Sequence, residues 1–252
     1  MAVTGGAASK GKGRAEGEVG RHAMAMERVP APVVARAVIV DDHPMVRGAI
    51  GQALAEDVDA GAAGTGAVAV REASDLDGLR LALVEEPDLD LVLLDLSMPG
   101  VSGLTGLMGL RAEHPALPVV IVSATSDGPT VSRAMRLGAS GFVPKSARLE
   151  EIREAVGTVL RGGVWQPGHV EPEAGEAETE ELMARLETLT PQQSRVLTMV
   201  ARGLLNKQIA YELAVSEATV KAHVSAVLSK LRVDSRTQAV IALNRLGGSP
   251  DG

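Results

Sequence analysis

Cysteine is absent from the 252 residues, which excludes disulfides and thiolate metal sites. Aromatic residues are nearly absent too, with one Trp, one Tyr and one Phe. A core must therefore be built from Ala, Val, Leu and Ile, with few large anchors. No apolar run approaches the ~18 residues of a membrane span. The basic N-terminus lacks the apolar segment of a secretory signal. A cytoplasmic chain with no membrane partner is expected, and the length allows one or two domains.

Charge is present but unevenly placed. The net charge is −7. Residues 1–36 carry six basic and three acidic side chains, and residues 37–165 carry ten and 18. Residues 166–183 hold six glutamates and no Lys or Arg, while residues 184–252 carry nine basic and five acidic side chains. An acidic body, an acidic hinge and a basic tail point to a nucleic-acid partner for the C-terminal part alone.

The pattern centres on Asp95. It closes the run Leu91-Val92-Leu93-Leu94, which is short and unbroken and reads as a strand buried on both faces. Pro99-Gly100 follows as a turn signal. Asp95 is thus placed at the carboxyl edge of a strand, where open α/β sheets bind ligands. A lone strand-end Asp also serves simply to cap a loop. Other strand ends supply matching chemistry: Val38-Ile39-Val40 leads to Asp41-Asp42, Val119 to Val122 lead to Ser123, and Gly141-Phe142-Val143 leads to Pro144-Lys145. Three carboxylates, a hydroxyl and an ammonium on one rim suit Mg²⁺ and a phosphoryl group.

Strands are predicted at residues 37–40, near 67–72, at 89–95, 119–122 and 141–143. Helices are predicted at 45–56, 76–86, 104–113, 129–137 and 148–161. Met45, Ile50 and Leu54 are the candidate buried residues of the first helix. The helix at 104–113 is poor, since Gly106 and Gly109 each cost ~1 kcal/mol relative to Ala. Gly138 is placed as a helix-ending residue. Five strands alternating with five helices predict a doubly wound parallel sheet over residues 36–162. Residues 1–35 read as a disordered leader, with a basic nucleic-acid arm as the alternative. Residues 163–184 read as an acidic linker whose end is open to recruitment into a helix.

Residues 185–252 turn helical. Thr190-Pro191-Gln192-Gln193 is a capping box with Pro at the first helical position. Helices are predicted from there to Gly203, over 206–213, from the cap Ser216 to Leu231, and over 236–246. Two short helices, a tight turn and a longer helix form an all-α, four-helix, helix-turn-helix pattern. On the long helix Val220, Val224, Val227, Leu228 and Leu231 share one face. Lys221, Ala222, Ser225 and Ser229 lie opposite, a small and slightly basic face that can enter a major groove. Lys207, Thr219, Lys230 and Arg232 are candidates for the phosphate backbone. Spacing alone fits a structural bundle equally well, and the local positive charge tips the balance toward DNA.

Taken in order, these motifs resemble a known pattern. Val40-Asp41-Asp42-His43-Pro44, Leu94 to Gly100, Val122-Ser123-Ala124 and Gly138 to Lys145 resemble a response-regulator receiver domain with a flavodoxin-like fold. Leu189-Thr190-Pro191, Gly203 to Ala210 and Val215 to His223 resemble a LuxR/FixJ-type helix-turn-helix. Together they resemble the NarL/FixJ family of two-component transcription factors. The resemblance implies Asp95 as phosphoacceptor, and Mg²⁺ held by Asp41, Asp42, Asp95 and the Ser97 carbonyl. It implies Ser123 and Lys145 as partners of the phosphoryl group and Phe142 as an aromatic switch. Lys207, Ser216, Thr219, Lys221, Ala222, Ser225 and Lys230 are the expected DNA contacts. The implied partners are a histidine kinase, double-stranded DNA and, when phosphorylated, a second copy of the chain. No enzymatic turnover is expected. Two departures stand out: Leu205 and Gln208 replace the usual Ser/Thr and Glu, so Asn206 is expected to cap the second helix. A receiver that docks a ligand without phosphorylation is one alternative. A phosphohydrolase is another, disfavoured because Ser97 stands where its second acid belongs.

Overall fold

A computed structural model gives the structure of the chain and describes residues 32–98, 104–168 and 177–246. Strands β1 (Val33–Val40), β3 (Thr65–Ala73), β4 (Leu91–Asp95), β5 (Val119–Ser123) and β6 (Gly141–Pro144) pair in parallel. A two-residue strand, β2 (Val58–Asp59), adds antiparallel to β3, giving the order β2-β3-β1-β4-β5-β6. The five expected parallel strands are present, and the edge strand is an addition. It is too short for periodicity to register. Strand β1 starts at Val33, inside the stretch read as leader, because Val33 still pairs with Ala67 of β3, across a register shift between Val33 and Ala35. Residues 1–31 lie outside the described residues.

Helices α1 (Pro44–Leu54) and α5 (Leu149–Leu160) cover one face of the sheet, and α2 (Leu76–Glu85), α3 (Thr105–Glu113) and α4 (Gly128–Arg136) cover the other. The apolar run of β4 divides between them. Val92 and Leu94 pack with the α2–α4 side, and Leu91 and Leu93 pack with α1 and α5. All four are buried, as a strand covered on both faces requires. Ile50 and Leu54 are buried as expected, but Met45 is 89% exposed. It sits in the first turn of α1. Gly138 follows α4 at φ +94°, and Ala139 N–H donates to Ala134 O at 3.1 Å, the reach-back that a left-handed residue permits.

Beyond α5 the chain returns to the sheet. Phe142 N–H donates to Trp165 O at 3.0 Å, and Trp165 N–H donates to Ser140 O at 3.2 Å, extending the sheet beside β6. Helix α6 (Ala177–Glu187) then buries Leu182, Met183 and Leu186. Thus the stretch read as linker contains a sheet bridge and most of a packed helix.

The helix-turn-helix is α7 (Pro191–Ala201), α8 (Asn206–Glu212), α9 (Glu217–Leu231) and α10 (Arg236–Leu246). Val196, Met199, Val200, Ile209, Ala210 and Val220 form its own core. The capping box of α7 is complete: Gln193 N–H donates to Thr190 Oγ1 at 3.3 Å, and Thr190 N–H donates to Gln193 Oε1 at 3.0 Å. In α8 the cap is Leu205, not Asn206. Leucine has no acceptor, so half the box survives: Leu205 N–H donates to Gln208 Oε1 at 2.7 Å. A larger apolar cluster runs without a break from the α2–α4 face into α6, α7, α9 and α10.

Candidate functional site

Four strand ends bring the predicted rim together. Asp41 follows β1, Asp95 ends β4, Ser123 ends β5, and Lys145 follows β6. Parallel register aligns them, since Asp95 pairs with Val122 and Ser123 with Pro144. Asp41, Asp95 and Ser123 are each only 1% exposed.

Lys145 joins the acids. Its Nζ lies 2.7 Å from Asp41 Oδ2 and 2.8 Å from Asp95 Oδ2. Burial works against the ammonium, but the two carboxylates outweigh it and hold its pKa above the ordinary lysine value. The other oxygens are held by backbone: Ser97 N–H donates to Asp95 Oδ1 at 3.0 Å, and His43 N–H donates to Asp41 Oδ1 at 2.8 Å. His43 Nδ1 lies 2.8 Å from Asp42 Oδ1. Arg47 of α1 fixes the loop from below, donating from Nη1 to Asp41 O at 2.7 Å and pairing through Nε with Glu72 at 2.7 Å. Neither His43 nor Arg47 was singled out by strand-end reasoning. Their only sequence signal is nearness to the acidic pair.

Ligand atoms of Asp41, Asp42, His43 and Asp95 all lie within 4.8 Å of one another. Three carboxylates face one ammonium, so the rim carries surplus negative charge that a divalent cation balances. Hard oxygen donors suit Mg²⁺. The acidic pocket thus fits the metal. Ser123 Oγ accepts Thr125 N–H at 3.2 Å, which leaves its hydroxyl proton able to turn to another acceptor. Phe142 is fully buried in the sheet, within the cluster that includes Val131 and Ala134 of α4.

The second candidate surface lies on α9. Val220, Val227 and Leu231 are buried, while Thr219, Lys221, Ala222, Ser225 and Ser229 are exposed. Ser216 Oγ accepts Thr219 N–H at 3.1 Å and so caps the helix. Lys221 Nζ lies 3.2 Å from Glu217 one turn back. Lys207 is exposed on α8. Lys230 is placed differently from the rest: its Nζ donates to Thr188 O at 2.7 Å and Gln193 Oε1 at 2.8 Å. It staples α9 to the start of α7, because its position on the helix points it at that turn.

Residues 37–157 match the model of the response regulator receiver domain. Residues 187–243 match that of the bacterial regulatory proteins of the luxR family. The glycerol metabolism activator of Pseudomonas putida is 41% identical over 212 residues, covering 81% of this chain and 93% of that protein. The chain belongs to the LuxR family of response regulators. The nitrate/nitrite response regulator protein NarL of Escherichia coli (strain K12) is 33% identical over 211 residues, covering 81% of this chain and 92% of that protein. A solved structure of two RcsB dimers bound to two parallel DNAs aligns at 24% identity with a TM-score of 0.47, covering 84% of this chain and 97% of that one. LuxR-family response regulators are regulatory proteins, not enzymes. No helix among the described residues is long and apolar enough to cross a membrane.

Proposed function

We propose that this chain is a transcription regulator of a two-component phosphorelay, switched by phosphorylation of Asp95 and acting as a dimer on DNA. The observation that carries this reading is Lys145 bridging Asp41 and Asp95 in a buried pocket with surplus negative charge. A phosphohistidine of a kinase, or acetyl phosphate, supplies the phosphoryl group. Its N–P or O–P bond breaks, the leaving group keeps the electron pair, and a carboxylate oxygen of Asp95 forms the new bond to phosphorus. Asp41, Asp42, Asp95 and the Ser97 carbonyl would hold Mg²⁺, which when bound would neutralise charge on the phosphoryl oxygens. Lys145 keeps its proton throughout, as its raised pKa favours, and pairs with the phosphoryl oxygens. Ser123 turns its hydroxyl from the loop toward the same group. The phosphoryl group brings three acceptor oxygens and, because it replaces the carboxylate charge of Asp95, a net added charge of only about −1; it draws the loop after β5 inward. Phe142, packed with α4, follows that movement.

On DNA, the face of Lys221, Ala222 and Ser225 reads base edges, while Lys207, Thr219 and the cap of α9 at Ser216 meet phosphates. One small helix-turn-helix reads few base pairs, and two half-sites multiply the specificity. The test is binding of the full chain to a duplex enriched from a random pool by the acetyl-phosphate-treated protein. Treated wild type is expected to bind more tightly than untreated wild type or Asp95→Asn. Lys221→Ala is expected to weaken binding and to relax the sequence preference at the position it reads, whereas Lys207→Ala is expected to lower the salt dependence by about one counterion. Equal affinity of treated wild type and treated Asp95→Asn contradicts the switch.

A further inference from the structure

In the cluster of Asp41, Asp42, His43 and Asp95, the imidazole is the only nitrogen ligand. His43 precedes Pro44, the first residue of α1, and its backbone is extended at φ −92° and ψ 106°, as the position before a proline favours. It stands at the cap of α1 but makes no side-chain cap hydrogen bond. The ring is therefore not spent on closing the helix. The peptide N–H donates to Asp41 Oδ1 at 2.8 Å, and the ring lies beside the acidic pair. Its Nδ1 is 3.3 Å from Asp41 Oδ1 and 2.8 Å from Asp42 Oδ1.

These two contacts differ in kind. At Asp41 the geometry is that of a hydrogen bond. At Asp42 it is not: Oδ1 is buried, stands 2.8 Å from the ring nitrogen, and has no hydrogen-bond partner among the described residues. A buried carboxylate oxygen without a donor is costly. A nitrogen and an oxygen this close, with no hydrogen bond between them, are disposed as two ligands of a third body are. Neighbouring ligands of an octahedral ion with bonds of 2.0–2.1 Å stand about 3 Å apart. The two separations from Nδ1 bracket that value. Lys145 takes the other oxygens, Asp41 Oδ2 and Asp95 Oδ2, which leaves the His43 side of the pocket to a cation. The ring is 62% exposed, so no packing has to yield for it to turn onto an ion.

We propose that His43 Nδ1 is a ligand of the cation at this site and that it shifts the site's preference from Mg²⁺ toward Co²⁺ and Ni²⁺. Imidazole suits the later transition ions, whereas Mg²⁺ takes oxygen. Oxygen ligands alone already favour Ni²⁺ over Co²⁺, so the ordering of affinities decides nothing. The part of the preference that is lost with the ring decides it. An ion held in this way takes the place of Mg²⁺, so the supply of such ions sets which cation accompanies the acidic pocket. The inference rests on the metal pocket of the function proposed above and deepens it by naming a further class of ion.

The test is isothermal titration calorimetry of the full chain with Mg²⁺, Co²⁺ and Ni²⁺, with no phosphoryl donor present. His43→Asn exchanges the nitrogen for an oxygen donor, and His43→Ala removes the donor. Both are expected to weaken Co²⁺ and Ni²⁺ at least about tenfold, since even the outer partners of metal ligands are worth about 10–100-fold. Mg²⁺ affinity is expected to stay nearly unchanged. With Mn²⁺ bound, pulsed electron paramagnetic resonance is expected to show a directly bound imidazole nitrogen in wild type and to lose it in both variants. Ni²⁺ affinity that survives both substitutions, or a nitrogen coupling that persists, overturns the proposal. So does an equal loss of Mg²⁺ and Ni²⁺, which would make the ring a mere support for the acids. Asp42→Asn keeps every histidine and is expected to lose tight Ni²⁺ binding; full-strength binding there would belong to another histidine and counts against the site. A wild type that binds none of these ions defeats the metal pocket of the proposed function itself. Mg²⁺ binding with no His43-dependent preference defeats the ligand alone, so the two failures are distinct.

Discussion

Lys145 holds two buried carboxylates at once, at 2.7 and 2.8 Å, and its charge is therefore part of the folding energy. Burial disfavours the ammonium, the carboxylates more than compensate, and the folded-state pKa is raised. A raised lysine pKa contributes stability that is full below the unfolded value, about 10.4, and is lost as pH rises through the folded value. Urea unfolding of wild type and Lys145→Gln is thus expected to show wild type more stable by a constant margin through neutral pH, with the margin fading in the alkaline range above about pH 10.4. A margin that vanishes near neutrality contradicts the pairing. The acids make the complementary case. Mg²⁺ that binds only the folded chain stabilises it by about 2.7 kcal/mol at a hundred times its Kd. A rise in Tm with Mg²⁺ is expected for wild type and is expected to be largely lost in Asp42→Asn, checked by thermal unfolding with and without the ion. Asp41, Asp42, Asp95, Ser123 and Lys145 were readable from sequence because each ends or follows a short apolar run. Arg47 was not, since Asp41 O and Glu72 reach it only once β1, α1 and β3 are assembled, and His43, which meets only its neighbours Asp41 and Asp42, neither ends nor directly follows a strand.

Among the secondary elements, caps explain most of what the sequence revealed and what it hid. Thr190 and Gln193 announce α7 in the sequence and cap it in the structure. Leu205 announces nothing, yet it occupies the cap of α8. Gln208 still takes its backbone N–H, but nothing on the leucine side chain can accept in return. Leu205→Ser is expected to supply the missing acceptor and stabilise the domain by about 1 kcal/mol. It also removes an exposed leucine, at 66% exposure. Chemical denaturation of the full chain checks this, and a loss of stability contradicts the assignment of the cap. Strand β2 and the Trp165 bridge escaped a reading by periodicity because each involves only one or two residues. Helix α6 was half hidden by its charge. Its glutamates read as a solvated spacer, whereas Leu182, Met183 and Leu186 bury one face and Glu180 and Glu187 serve Arg136 on another side.

Across the whole molecule, the acidic body and the basic tail act as two units joined by a continuous apolar cluster. Composition located both units, and the strand-end motifs located the site. Neither indicated that the units touch. The trace was negative, in a glycine at position 109 where α3 should prefer a better helix former, and its meaning appears only when Thr198 is seen against Gly109. Asp95 lies at the root of this arrangement, since α3 follows its loop and the account makes it the input. Intact-mass spectrometry after incubation with Mg²⁺ and acetyl phosphate tests that most directly. Wild type is expected to gain one phosphoryl group, ~80 Da, and folded Asp95→Asn none. Equal labelling of both, or a folded wild type that takes no phosphoryl group from either acetyl phosphate or a histidine kinase, would contradict the account.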